Sequence, residues 1–184
     1  MFHSTVAILA APGLVQWSFR QFRPAETGNT RGAGCVGTKE SFPKPMTTTS
    51  AATLAQIHAL LAERGYEVSE SAPDTLKIRE LSSGVTIQAV LQGEIMFFTL
   101  PCTVVPQSAI TAEIMAKMLE ADNGISTSHF QLYDAGDGKV AITLNNFCKL
   151  QEMGPDDEDD ILSCVHFLFV DVMSARRLLA GLVS

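Results

Sequence analysis

The chain has few cysteines and places none of them in a redox or metal-binding spacing. Cys35, Cys102, Cys148 and Cys164 are the only four, and no two of them form a CxxC pair. No histidine joins them at the spacing of a zinc site. Cys102, Cys148 and Cys164 sit among apolar residues, where a free cysteine behaves as a small hydrophobe. They are expected to be reduced core thiols, and the protein cytoplasmic.

Long hydrophobic runs are also missing. Val6 to Val15 is apolar over about ten residues, far short of the ~20 that span a bilayer. No Lys or Arg precedes that run, as a secretory signal requires, and the arginines follow it. No direct membrane insertion is therefore expected. From Pro24 to Pro45 the chain is rich in Gly, Thr and Pro and has no helical or strand period. Residues 1–45 read as a disordered lead-in. Met46 reads as the true start, with the preceding stretch a translated upstream region, and residues 46–184 read as a single α+β domain.

Positive charge is scarce in that domain. Residues 1–45 hold five basic groups and two acidic ones, a net of +3, whereas the remainder holds eight and eighteen, a net of −10. So negative a domain repels phosphate backbones and anionic head groups, which argues against nucleic acid as a partner. A basic protein surface suits it better. Hydrophobic residues make up 46% of the chain, enough to build a core and too many for disorder.

Catalytic signatures are absent too. There is no GxGxxG after a strand, no P-loop, no GxSxG and no HExxH. Asp134, Asp137 and Gly138 superficially suggest a calcium loop, but the twelfth position counted from Asp134 is Asn145 where an EF-hand needs Glu. A hairpin turn is the simpler reading. His58 has no partner nearby in sequence. His166 and Asp171 lack an accompanying nucleophile, and either a buried satisfied pair or two exposed positions explains them better than catalysis. No catalytic residue, metal or cofactor is expected.

The remaining residues are well patterned. Leu54, Ile57, Leu60 and Leu61 recur at helical spacing, with Ser50 as the expected N-cap and Gly65 as the C′ residue. Thr75–Leu81 and Val85–Leu91 alternate in the manner of half-buried strands. Gln92-Gly93 marks a hairpin, and Glu94–Leu100 is more continuously apolar and so more central. Pro101 and Pro106 bracket an expected loop. A second helix, capped by Ser108, is expected over Ala109–Ala121, its Met-rich face turned to the core. His129–Asp134 and Lys139–Phe147 read as a second hairpin. The order is α-β-β-β-α-β-β-α, with Glu67–Glu70 as a further short strand: an antiparallel meander sheet with flanking helices.

The last helix is expected from Pro155 to about Leu182, its five acids at the positive end of the macrodipole and Arg176 and Arg177 near the other. Ile161, Leu162, Val165, Leu168, Phe169, Val172 and Met173 form one stripe, and Phe167 and Val170 widen it. A helix apolar most of the way round must be buried on more than one side. The second side is read as a homodimer or partner interface formed by Phe167, Val170, Phe169 and Met173.

The element order resembles the fold of type III secretion chaperones and of YbjN-like proteins. A second likeness runs from Leu100-Pro-Cys-Thr-Val-Val through the Met-rich helix and His129-Phe-Gln-Leu-Tyr to Leu150. It continues through Glu158-Asp-Asp-Ile-Leu to Arg176. Over about residues 50–182 this is similar to the YjfI-like family of uncharacterised bacterial proteins. That resemblance implies a cytoplasmic accessory protein acting with a coiled-coil membrane-stress partner of the phage-shock protein A type, and carries over no functional residue. Three functions stay open: a non-catalytic, dimeric protein-binding module; a secretion-chaperone-like binder of a disordered effector segment; and a small-ligand binder or enzyme.

Overall fold

The computed structural model describes residues 53–182. The chain divides by internal contact after Met46, and every described residue belongs to the second unit. The expectations for residues 1–45, for Ser50 and for Cys35 lie outside the described residues.

The protein is α+β. Helix α1 (Leu54–Glu63) leads into four strands, β1 (Glu67–Ala72), β2 (Thr75–Arg79), β3 (Thr86–Gln92) and β4 (Ile95–Pro106). Helix α2 (Ala112–Leu119) follows, then β5 (His129–Gly136), β6 (Lys139–Lys149) and α3 (Pro155–Leu179). The six strands form one sheet in the order β1-β2-β3-β4-β6-β5, and every neighbouring pair is antiparallel.

Thr53, not Ser50, caps α1. Its hydroxyl accepts from the Gln56 N–H while the Gln56 side chain reaches back to the Thr53 N–H, a reciprocal capping box. The second helix is shorter than its apolar spacing suggests. A 3-10 turn (Gln107–Ala109) precedes it and Thr111, rather than Ser108, is its cap. Of the Met-rich face, Met118 is buried but Met115 is 40% exposed and Leu119 82% exposed.

The expected loop between Pro101 and Pro106 is strand. β4 runs through both prolines, with a bulge between Pro101 and Thr103. The Leu150 N–H donates to the Glu94 carbonyl, so alternate residues opposite it, Met96, Phe98 and Leu100, exchange bonds with β6. Pro101 therefore aims its backbone the other way, toward β3. The β3–β4 ladder stops at Gln88↔Thr99. The N–H that Pro101 lacks is therefore not one that either ladder needs.

One face of the sheet carries the core. Leu76, Ile78, Ile87, Ala89, Met96, Phe98, Leu100 and Leu144 are buried against Ile57 and Leu61 of α1 and Ile161, Val165, Leu168 and Val172 of α3. A smaller cluster of Val105, Met118, Ile142 and Leu179 seats α2. The other face has a polar ladder in which Thr99 donates to Asn145 and Asn145 to Thr143. Beside it lie Phe97 and Phe147, ring centroids 6.2 Å apart.

Two buried carboxylates tie loops to α3. Asp157, 4% exposed, accepts the backbone N–H groups of Gln151, Glu152 and Met153 at 2.8–3.1 Å. That turn puts Met153 at φ 54, a conformation unfavourable for a side-chain-bearing residue. Asp171, 1% exposed, accepts from the Ser126 N–H and hydroxyl and the Ser128 N–H. His166 is exposed and meets Phe167 edge-on. His166 and Asp171 are thus not a pair.

Candidate functional site

The strand parity set by Leu150 extends across the sheet. Even-numbered β6 residues face β4, so Ala141, Thr143 and Asn145 face β5. Their partners Tyr133, Gln131 and His129 are satisfied by β6. Phe130, Leu132 and Asp134 therefore direct their N–H and C=O groups outward, along the free edge of the sheet.

The two edges of this sheet differ. β1 has Glu67 and Glu70 exposed along its length, the usual protection against unwanted pairing. β5 reads His-Phe-Gln-Leu-Tyr-Asp and has neither lysine nor proline. Its first charge is Asp134, and its bulge falls beyond that residue. A stretch of unguarded, largely apolar edge is left between Phe130 and Tyr133.

Beside this edge, on the helix-bearing side, lies an open groove of about 670 Å³ between α2 and the β5–β6 hairpin. Ile110, Met115, Leu132 and Val140 supply its apolar wall, and Asp134 and Asp137 its charge. Among the described residues, no basic side chain lines it. Leu132 is 41% exposed. Met115 and Leu119, one helical turn apart, continue the apolar surface along α2.

The hairpin forming one end is rigidly specified. Asp137 and Gly138 both have positive φ, as a two-residue type I′ connection requires. The Asp134 carboxylate accepts the Gly136 N–H at 2.9 Å, and Gly138 accepts the Gln107 N–H at 2.8 Å, joining the hairpin to the segment before α2. Burial pushes the Tyr133 phenol above its ordinary range, and its hydroxyl donates to the Gln131 side chain. The phenol is therefore a hydrogen-bonding group here and not a base. Among the described residues, no group of three or more His, Cys, Asp or Glu could hold a metal ion. No helix among them is long and apolar enough to cross a membrane.

The four residues expected to form one interface divide among three surfaces. Val170 and Met173 face outward, 52% and 57% exposed. Phe169 is partly buried and stacks on Tyr66, centroids 5.7 Å apart, so it fastens α3 to the chain following α1. Phe167 turns to the opposite flank, toward the end of β6. The β5 edge was not singled out from sequence. Its signal, an apolar strand without charge or proline, becomes visible only once the topology shows that β5 is outermost.

No protein-family model matches the chain, and no curated protein matches it. Solved structures do. YbjN from E. coli, a proposed transcription regulator, superposes with a TM-score of 0.52 at 18% identity, over 73% of this chain and 95% of that one. The fold is YbjN-like. The heterodimeric ExoU–SpcU complex of the type III secretion system of Pseudomonas aeruginosa gives a TM-score of 0.48 at 18% identity, over 66% of this chain and 96% of that one. At such identity the YbjN-like likeness is one of fold alone.

Proposed function

We propose that this protein is a non-catalytic binding module that captures an extended segment of another protein by strand addition to β5. The outward-facing edge at Phe130 and Leu132, with no strand beside it among the described residues, carries the reading. Its outward backbone groups would supply main-chain hydrogen bonds, and alternate side chains of the guest would enter the groove under α2. The guest is apolar and basic, because the groove is apolar on its walls and acidic at Asp134 and Asp137. This is chaperone-like behaviour in the broad sense, and the acidic charge of the domain agrees with it.

The test is a library of extended peptides with alternating apolar and basic residues, read by fluorescence anisotropy against the full chain. Micromolar binding is expected, together with loss of at least about tenfold in Leu132→Lys, which removes an apolar contact and guards the edge. A wild-type chain that binds none of the peptides, or a Leu132→Lys chain that binds them equally, overturns the proposal.

A second reading keeps a homodimer through α3, favoured by the outward exposure of Val170 and Met173 in the middle of a long helix. Phe167 and Phe169 would flank such a contact. Val170→Glu with Met173→Glu should leave the fold and convert a dimer to a monomer in sedimentation; a wild-type monomer at micromolar concentration sinks this reading. Membership of the YjfI-like family, cytoplasmic location and a phage-shock-protein-A-type partner rest on the sequence resemblance and the cysteine content. A pull-down from native lysate with that partner as one bait tests them together.

A further inference from the structure

A second, smaller groove of about 360 Å³ lies between the end of β6 and the first half of α3. It exists because β5 begins only at His129, opposite Asn145, leaving residues 146–149 of β6 without a strand on that side. Asp171 holds Ser126 and Ser128 against α3, and Thr127 accepts a 3.2 Å bond from the Asn146 side chain. The Asn146 side-chain oxygen Oδ1 accepts the Phe147 N–H, which points to the side where β5 has not yet begun. From α3, Asp160, Ser163, Cys164 and Phe167 face this groove at helical spacing.

Cys148 lines the β6 wall and Cys164 the α3 wall. Their residual exposures are only 6% and 8%, and both border an open groove. The two thiols belong to one buried cluster and line one groove, near enough for a thiol–thiol hydrogen bond to couple their titration. Cys148 keeps its proton and donates, which raises its own pKa and holds Cys164 below the ordinary thiol value. Burial and the Asp160 carboxylate oppose ionisation of Cys164, but the Cys148 hydrogen bond outweighs them. Cys102 instead donates to the Leu100 carbonyl, and burial raises it to about 11.

We propose that Cys148 and Cys164 form a hydroperoxide-reactive dithiol that closes to an intramolecular disulfide and locks α3 to β6. In the first step the Cys164 thiolate attacks a peroxide oxygen and the O–O bond breaks. With hydrogen peroxide, one oxygen leaves as hydroxide, which takes from solvent the proton Cys164 released on ionising and becomes water, and the other stays on Cys164 as sulfenic acid. The Cys148 sulfur then attacks the Cys164 sulfur, the S–O bond breaks and the S–S bond forms. The departing oxygen takes the Cys148 proton and leaves as a second water. Two thiols lose two electrons, and one peroxide is reduced to two waters.

The experiment treats the full chain with equimolar hydrogen peroxide, blocks free thiols with N-ethylmaleimide and maps the non-reduced peptides by mass. A Cys148–Cys164 cross-linked peptide is expected, with a melting temperature that rises on oxidation and returns with dithiothreitol. Cys102→Ser should form the same link. Cys148→Ser, whose hydroxyl can still donate to the Cys164 sulfur, should stop at a Cys164 sulfenic acid that dimedone traps, and Cys164→Ala should form neither. If either variant fails to fold, the cross-link map of the wild-type chain decides alone. Absence of the link, cross-links only between molecules, or faster dimedone labelling at Cys102 than at Cys164 overturns the proposal.

Discussion

Asp171 shows how much one side chain organises. A carboxylate that is 1% exposed would be costly to bury, but here three donors from the Ser126–Ser128 turn surround it. Replacing it with alanine leaves two backbone N–H groups without their acceptor, each worth about 1–3 kcal/mol when buried. Asp171→Ala should therefore cost about 2–4 kcal/mol in a urea titration, and Asp171→Asn less, since its amide oxygen still accepts. Hydrogen exchange at Ser126 and Ser128 should accelerate in the alanine variant more than exchange in the core of β6. Equal acceleration everywhere would mean that Asp171 serves general stability and not this turn. Asp157 repeats the device for residues 151–153. Neither role was legible in the sequence. Asp157 is one of five successive acids, and only the fold turns it inward while Asp156, Asp159 and Asp160 stay exposed.

At the scale of elements, periodicity carried the reading a long way. Alternation located β2 and β3, helical spacing located α1 and α3, and the Asp137-Gly138 pair located a hairpin. The error over residues 101–106 came from treating proline as a loop signal. Whether proline breaks a strand depends on which neighbour its missing N–H would have met, and pairing with β6 is set by residues some forty positions away. α3 is as broadly apolar as its sequence suggests, and part of that surface is used within the chain, since Phe169 stacks on Tyr66, while Val170 and Met173 stay outward. β4 then predicts its own weakest point. Phe98 is fully buried in the core cluster that the sheet shares with α1 and α3. Phe98→Ala should cost about 3–5 kcal/mol, whereas Val104→Ala, at a position that is 50% exposed, should stay within about 1 kcal/mol. Thermal or urea melts of the two variants distinguish them. Comparable losses would place the core elsewhere.

At the scale of the molecule, the imbalance of eight basic and eighteen acidic groups beyond residue 45 becomes a prediction about binding. A guest strand on β5 would be held by two kinds of interaction with different salt responses. Main-chain bonds and apolar contacts with Met115 and Leu132 are nearly indifferent to ionic strength. Contacts of basic residues with Asp134 and Asp137 are exposed and screened, since the Debye length falls from about 10 Å at 0.1 M to about 3 Å at 1 M. Two exposed pairs, each worth up to about 1 kcal/mol, together approach the ~1.4 kcal/mol that changes affinity tenfold. Affinity for a basic apolar peptide should thus fall about tenfold between those salt concentrations and then level off on its apolar part. Asp134→Asn with Asp137→Asn should abolish most of that dependence. Both substitutions suit the hairpin, because asparagine can still accept the Gly136 N–H at position 134 and tolerates the φ of 51 at position 137. A salt response equally steep in the double variant would move the electrostatic contact to another acidic surface, and the guest with it.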